Sequence, residues 1–265
     1  MSPRRIALPL ALALAIVPVP AAAAQPSASM ALRAAPATEA AEAPRPFAIT
    51  LHRPNDLVSQ TNFVQCVGAS MQTMLNIMVV GTDRSAKTQQ RLQQLARRLS
   101  GPRPDGLIRK GASVRGWADG LTIIGAGPYK LVGERTLEAA VRTAAKAIRL
   151  TGKPVGLLMW RGRHAWVMTG FQATADPLIS DAFQVTGVTV FDPLHPHGSR
   201  VWGPSPRPGA LVGLQVLGRQ FRPRQSTPRS LMWMGSSPLA ELRGKFVLVL
   251  PYVPRRLTAR DWRIL

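Results

Sequence analysis

The hydrophobic period of this chain changes once, and that change constrains its fold more than any other feature. Up to Leu150 the apolar residues recur mostly at helical spacing; from Val155 they alternate. Cys66 opens a helical pattern through Val67, Met71, Met74, Leu75 and Met78 that ends near Gly81 and reads as amphipathic. Ser85 to Leu99 forms a second helix, with Leu92, Leu95, Ala96 and Leu99 on one face. Val114 to Ile124 forms a third around Trp117 and Leu121. Thr136 caps a fourth, Leu137 to Leu150, which Gly152 and Pro154 end. Strands are expected at Phe47–Leu51 and Tyr129–Val132, then at Val155–Trp160, Arg163–Phe171 and Phe183–Phe191. Lys245–Tyr252 is expected to join the same sheet, and Leu211, Leu214, Leu217 and Phe221 fit one further helical face. Helices first and antiparallel strands second define an α+β arrangement.

The length, 265 residues, suits one sizeable domain or two small ones. Arg4 and Arg5 precede an apolar run from Ile6 to Val19, and Ala22-Ala23-Ala24 stands before Gln25. That is the pattern of a secretory signal peptide over residues 1–24. Residues 25–46 are rich in Ala, Pro and Glu without periodicity and read as a spacer. The folded domain is expected over 47–254, and 255–265 forms a basic tail. No later segment approaches ~18 consecutive apolar residues, so no transmembrane segment is expected after signal removal, and the mature protein is expected to be secreted.

Lys and Arg outnumber Asp and Glu by 34 to 13, a formal charge of +21. Such a balance attracts polyanions: nucleic acid, anionic lipid headgroups, acidic wall polymers. No nucleic-acid recognition motif accompanies the charge, so no specific nucleic-acid partner is expected. An excess of Arg over Lys with abundant Ala, Pro and Gly is also what a GC-rich genome produces. One function class compatible with the charge is a non-catalytic scaffold that binds a polyanionic surface or partner.

Cys66 is the only cysteine. Exported proteins commonly pair their cysteines; a lone one is an intermolecular linker, an inert buried residue or a reactive thiol. At the first turn of a helix, free N–H groups and the positive end of the dipole favour the nucleophilic thiolate. Thiol catalysis further needs a base, a group that orients the base, and donors for an oxyanion. His164, which opens a strand in the second half, is the candidate base. Asp192 is the candidate orienting group. A hairpin from Arg163 to Pro193 sets the start of one strand beside the end of the next. Asp176 and Asp181 compete with Asp192, which leads because it directly ends an apolar strand. Gln60, six residues before Cys66, is the candidate side-chain oxyanion donor beside the Cys66 N–H, with Gln65 as its competitor. His195 and His197 sit in a Pro-rich loop without companion ligands, so no metal and no organic cofactor is expected. Trp160 and Trp166 read as core.

Gln60, Cys66-Val67-Gly68-Ala69-Ser70, His164-Ala165-Trp166-Val167 and Phe191-Asp192-Pro193 together resemble the papain-like cysteine peptidase superfamily. Within it they are most similar to the bacteriocin-processing (double-glycine) peptidases and their secreted relatives. The six-residue interval from Gln to Cys matches the superfamily. Val67 stands where that branch carries Gly, and the His-to-Asp interval is longer. The resemblance implies a papain-like fold with an N-terminal helical half packed on an antiparallel sheet. It also implies a Cys66–His164–Asp192 hydrolase that cleaves a peptide or protein substrate through a thioester, with Gln60 at the oxyanion.

Overall fold

Serine and threonine decide where three of the helices begin. A computed structural model describes residues 45–79, 81–101, 110–225 and 239–254. All belong to the second of two compact units, Ala43–Leu265. The expected signal peptide, the tail at 255–265 and nearly all of the spacer lie outside the described residues. The helices are α1 (Cys66–Met78), α2 (Ala86–Arg98), α3 (Val114–Ile123), α4 (Leu137–Thr151) and α5 (Leu214–Gln220). Ser85, Ser113 and Thr136 accept hydrogen bonds from Thr88, Gly116 and Ala139 N–H, capping α2, α3 and α4. Gly152 ends α4 at φ 64°, a left-handed position that suits a residue without Cβ.

Seven strands form one antiparallel sheet: β1 (Phe47–Thr50), β2 (Tyr129–Glu134), β3 (Val155–Met159), β4 (His164–Ala173), β5 (Val185–Phe191), β6 (Leu211–Gly213) and β7 (Phe246–Pro251). The order is β2-β7-β3-β4-β5-β6, so β7 inserts between β2 and β3 as the apolar run Phe-Val-Leu-Val-Leu suggests. One flank of β4 is shared: β3 pairs with His164–Met168 and β1 with Gly170–Ala173. The molecule is thus a mixed helix and antiparallel-sheet fold.

The sheet carries a core on each face. Trp166, Met168 and Phe171 of β4 pack in the cluster that includes Ala140, Ala144 and Ile148 of α4. Ala165 and Val167, one residue out of phase, pack in the cluster with Met71 and Met74 of α1 and Trp117 of α3. This is the alternation read from the sequence, with Trp166 as core. Helices-first holds only for α1 to α3; β2 precedes α4, and α4 covers the other face.

Two local expectations are corrected. α1 is not amphipathic in place: Ser70, Gln72, Thr73 and Asn76 are buried as fully as Met71 and Met74. Most of their polar atoms are met by neighbouring loops and by β4, while Gln72 Oε1 has no partner among the described residues. Gln72 and Asn76 amides donate to the Asp83 carbonyl at 2.9 and 3.0 Å, and Thr73 Oγ1 accepts the Val58 N–H at 3.0 Å. Polar side chains buried on a helix need such partners. Leu211 is the second correction. It lies half-exposed on β6 rather than on a helix, and only Leu214, Leu217 and Phe221 face inward around α5. Among the described residues no helix is long and apolar enough to cross a membrane.

Candidate active site

Cys66 opens α1 and is half-buried, so its sulfur is not sealed in the core. Unlike α2, α3 and α4, this helix receives no side-chain cap from the residue before it, Gln65. The Gly68 N–H is taken by Gln93 Oε1 at 2.9 Å. The Cys66 N–H, in the first turn, has no acceptor within the helix.

His164 opens β4, paired with Met159 across a tight turn. Three consecutive turn residues, Trp160, Arg161 and Gly162, have φ of 54°, 57° and 101°. Left-handed backbone at two non-glycine residues costs about 1–3 kcal/mol each, and such strain persists only where the surroundings enforce it. Here the Trp160 ring is locked. Its Nε1–H donates to Gln220 Oε1 at 3.0 Å, and its backbone N–H donates to the Gln220 carbonyl at 3.0 Å. The indole stacks on the His164 imidazole with centroids 4.0 Å apart and planes 21° from parallel.

Asp192 directly follows β5. Phe191 pairs with Val167, which leaves Asp192 diagonal to His164 on the neighbouring strand. Asp192 Oδ1 lies 2.6 Å from His164 Nε2. The same oxygen accepts the Leu194 N–H at 2.8 Å, and the Ser205 hydroxyl donates to Oδ2. His164 and Asp192 are 4% and 1% exposed. With Nε2 committed to Asp192, Nδ1 is the nitrogen left for Cys66, which borders the same cavity as the ring. Burial alone depresses the imidazole pKa. The hydrogen bonds to Asp192 and Cys66, with their charges, outweigh it and raise the ring to about 9.

The sign follows directly. A group raised from 6.5 to about 9 on folding stabilises the fold fully below pH 6.5 and loses that contribution as pH rises through about 9. Nitrogen chemical shifts of His164 are therefore expected to report an imidazolium through neutral pH and a titration near 9. Asp192→Asn is expected to move that titration to lower pH. A wild-type ring that titrates at or below 6.5 contradicts the assigned geometry.

The structure brings Cys66, His164 and Asp192 together from α1, β4 and the end of β5. Gln60 is not among the residues that border the cavity with Cys66 and His164. The Gln60 backbone N–H donates to the Pro193 carbonyl at 2.8 Å, tying this loop to the Asp192 corner. Its Nε2 donates to the Asn62 carbonyl at 2.9 Å, while its Oε1 is buried without a partner among the described residues. Gln65 accepts the Thr61 hydroxyl instead. The competing carboxylates are engaged elsewhere: Asp176 with Arg149 on α4 at 2.8 Å, and Asp181 with Lys146 at 2.6 Å. Among the described residues no three His, Cys, Asp or Glu side chains gather as a metal-ion cluster.

Three contributors escaped the sequence. Ser205 lies in a Pro-rich loop with no periodicity to mark it, and only the fold sets it on Asp192. Trp160 reads as core but forms a wall of the imidazole. Arg224 borders, with Cys66, His164 and Trp117, a cavity of about 150 Å³. No local signal distinguishes it from its many arginine neighbours. The chain matches no protein-family model and no curated protein.

Proposed function

We propose that this chain is an exported papain-like cysteine hydrolase that cleaves a peptide or other amide bond. The observation that carries the proposal is that Cys66 and the His164 ring border one cavity while the ring meets Asp192 at 2.6 Å. Thiol, imidazole and carboxylate stand in the order that nucleophilic catalysis requires.

In the proposed reaction the Cys66 thiolate attacks the amide carbon, and the carbonyl oxygen becomes an oxyanion. The Cys66 N–H stabilises that charge. Gln60 has a second amide N–H beside the one given to Asn62, and that is the further donor this loop offers. The His164 imidazolium gives its proton to the leaving amine, and the C–N bond breaks to leave a thioester on Cys66. Water then attacks the thioester as neutral His164 takes a proton. The carboxylic acid leaves and the thiolate–imidazolium pair returns. An amine in place of water yields a new amide by the same steps. Asp192, held by Leu194 and Ser205, fixes the ring so that one nitrogen faces the sulfur.

Iodoacetamide alkylation of Cys66 against pH tests this, in wild type and His164→Ala. The expected result is rapid alkylation below pH 7, where an ordinary thiol near pKa 8.5 is mostly protonated, and loss of that acceleration in the variant. A wild-type profile that follows an ordinary thiol refutes the hydrolase. The basic surface, and with it a non-catalytic polyanion-binding scaffold, would then be the better account.

A further inference from the structure

We propose that the cavity beside Cys66 receives an acidic side chain, so that the hydrolase acts on peptides with Asp or Glu next to the scissile amide. This rests on the hydrolase proposed above and adds its substrate class.

The cavity is donor-rich and acceptor-poor. Its described lining includes Arg163, Arg224, Ser113 and Trp117 beside Cys66 and His164, and it contains no Asp or Glu. Arg224 is the most informative. Its backbone is fixed opposite β7's approach: its N–H donates to the Lys245 carbonyl at 2.8 Å, and its carbonyl accepts the Gly244 N–H at 2.9 Å. Its methylene stem packs on Gly162, where an added Cβ would lie 3.2 Å from Cγ. That contact holds the side chain against the turn that precedes His164. One guanidinium nitrogen, Nη1, donates to the Leu239 carbonyl at 3.0 Å. No carboxylate of the described residues pairs with it; the charge it meets is Arg243, and burial and that repulsion both work against its positive form. A half-buried cation facing another cation is stabilised by an anion.

A carboxylate supplies what Arg224 lacks: negative charge and several acceptor lone pairs. Trp117, fully buried, is an apolar wall of the same cavity. Apolar Val114 and Leu158 complete the walls, suited to the methylenes of such a side chain. At about 150 Å³ the space admits one side chain, well short of a typical small-molecule site. The net charge of +21 draws acidic peptides towards the site.

The test uses the full chain and peptidyl vinyl sulfones that differ only in the residue beside the warhead: Glu, Gln, Leu or Lys. Intact mass reads the rate of Cys66 labelling. The Glu probe is expected to label about tenfold or more faster than isosteric Gln, the size of one charge-assisted hydrogen bond to a cation. Within Arg224→Gln the Glu-to-Gln ratio is expected to collapse towards one, and Arg224→Lys to restore part of it. Because a ratio is read inside each variant, a general loss of stability does not mimic the effect. Equal Glu and Gln rates, a faster Leu or Lys probe, or a preference that survives Arg224→Gln overturns the substrate class while Cys66 still reacts. If Cys66 proves unreactive, the hydrolase falls separately. Peptide affinity of Cys66→Ser, Glu against Gln, then decides the cavity: equal affinities overturn it.

Discussion

Serine in place of Cys66 is expected to lower turnover of any amide substrate by a factor on the order of 10³ or more. A hydroxyl is a much weaker nucleophile than the thiolate it replaces, and among the described residues His164 is the base placed to activate it. His164→Ala is expected to cost a similar factor. The informative variant is the double one. Sulfur and ring form a single unit, so Cys66→Ser/His164→Ala is expected to be little worse than either single change, as for residues that act together. Steady-state rates with the best-cleaved peptide measure this. A Cys66→Ser protein that keeps more than about a tenth of wild-type turnover, or losses that multiply independently, would mean that the chemistry lies elsewhere.

Gly116→Ala is expected to produce the largest stability loss of any single methyl addition near the site. A Cβ at Gly116 would stand 2.0 Å from the Ala96 carbonyl oxygen and 2.7 Å from Ser100 Oγ. Neither can yield cheaply. The Ala96 oxygen belongs to the α2 backbone and accepts the Ser100 hydroxyl at 2.7 Å, and that hydroxyl accepts the Ser113 N–H at 2.8 Å. Helices α2 and α3 must therefore part, which shifts Val114 and Trp117 at the cavity wall. Overpacking of this kind costs about 1–3 kcal/mol, occasionally more; the backbone clash puts Gly116→Ala near 3. The helix-propensity gain of about 1 kcal/mol offsets only part of it. Denaturant midpoints measure the change. Gly213→Ala is the control, because nothing lies within 4 Å of its added Cβ. A midpoint for Gly116→Ala equal to that of Gly213→Ala would show that the two helices are not packed this closely.

Local signals carried much of the secondary structure. The 3.6-residue period, Thr136 at its cap, and the run from Phe246 to Leu250 all act within a few residues of themselves, so they survive in a one-dimensional reading. The reading of α1 as amphipathic failed for a physical reason. Its polar residues are buried because loops around Asp83 and Val58 come to meet them, and periodicity carries no information about loops. Leu211 misled in the same way, since a three-residue strand is too short to show its own period.

The candidate site divides along similar lines. Residue type and order single out Cys66, His164 and Asp192, because few side chains can act as nucleophile, base and orienting acid, and this chain holds one cysteine. The choice of Asp192 over Asp176 and Asp181 turned on strand pairing and on the cations of α4, Arg149 and Lys146, which claim the other two. Gln60 stands at the expected interval, and one of its two amide N–H groups goes to the Asn62 carbonyl; where the other points is a matter of loop conformation that spacing cannot fix.

By itself the amino-acid order determined where helices and strands form, which faces of β4 are buried, and which few side chains are chemically able to act. Only the folded chain decided which of them meet. The register of Phe191 on Val167, the left-handed turn at Trp160 and the inward reach of Ser205 and Arg224 bring together groups far apart in sequence. Periodicity and capping are short-range forces, whereas the pairing of a sulfur, a ring and a carboxylate depends on how distant segments share the space left by the core.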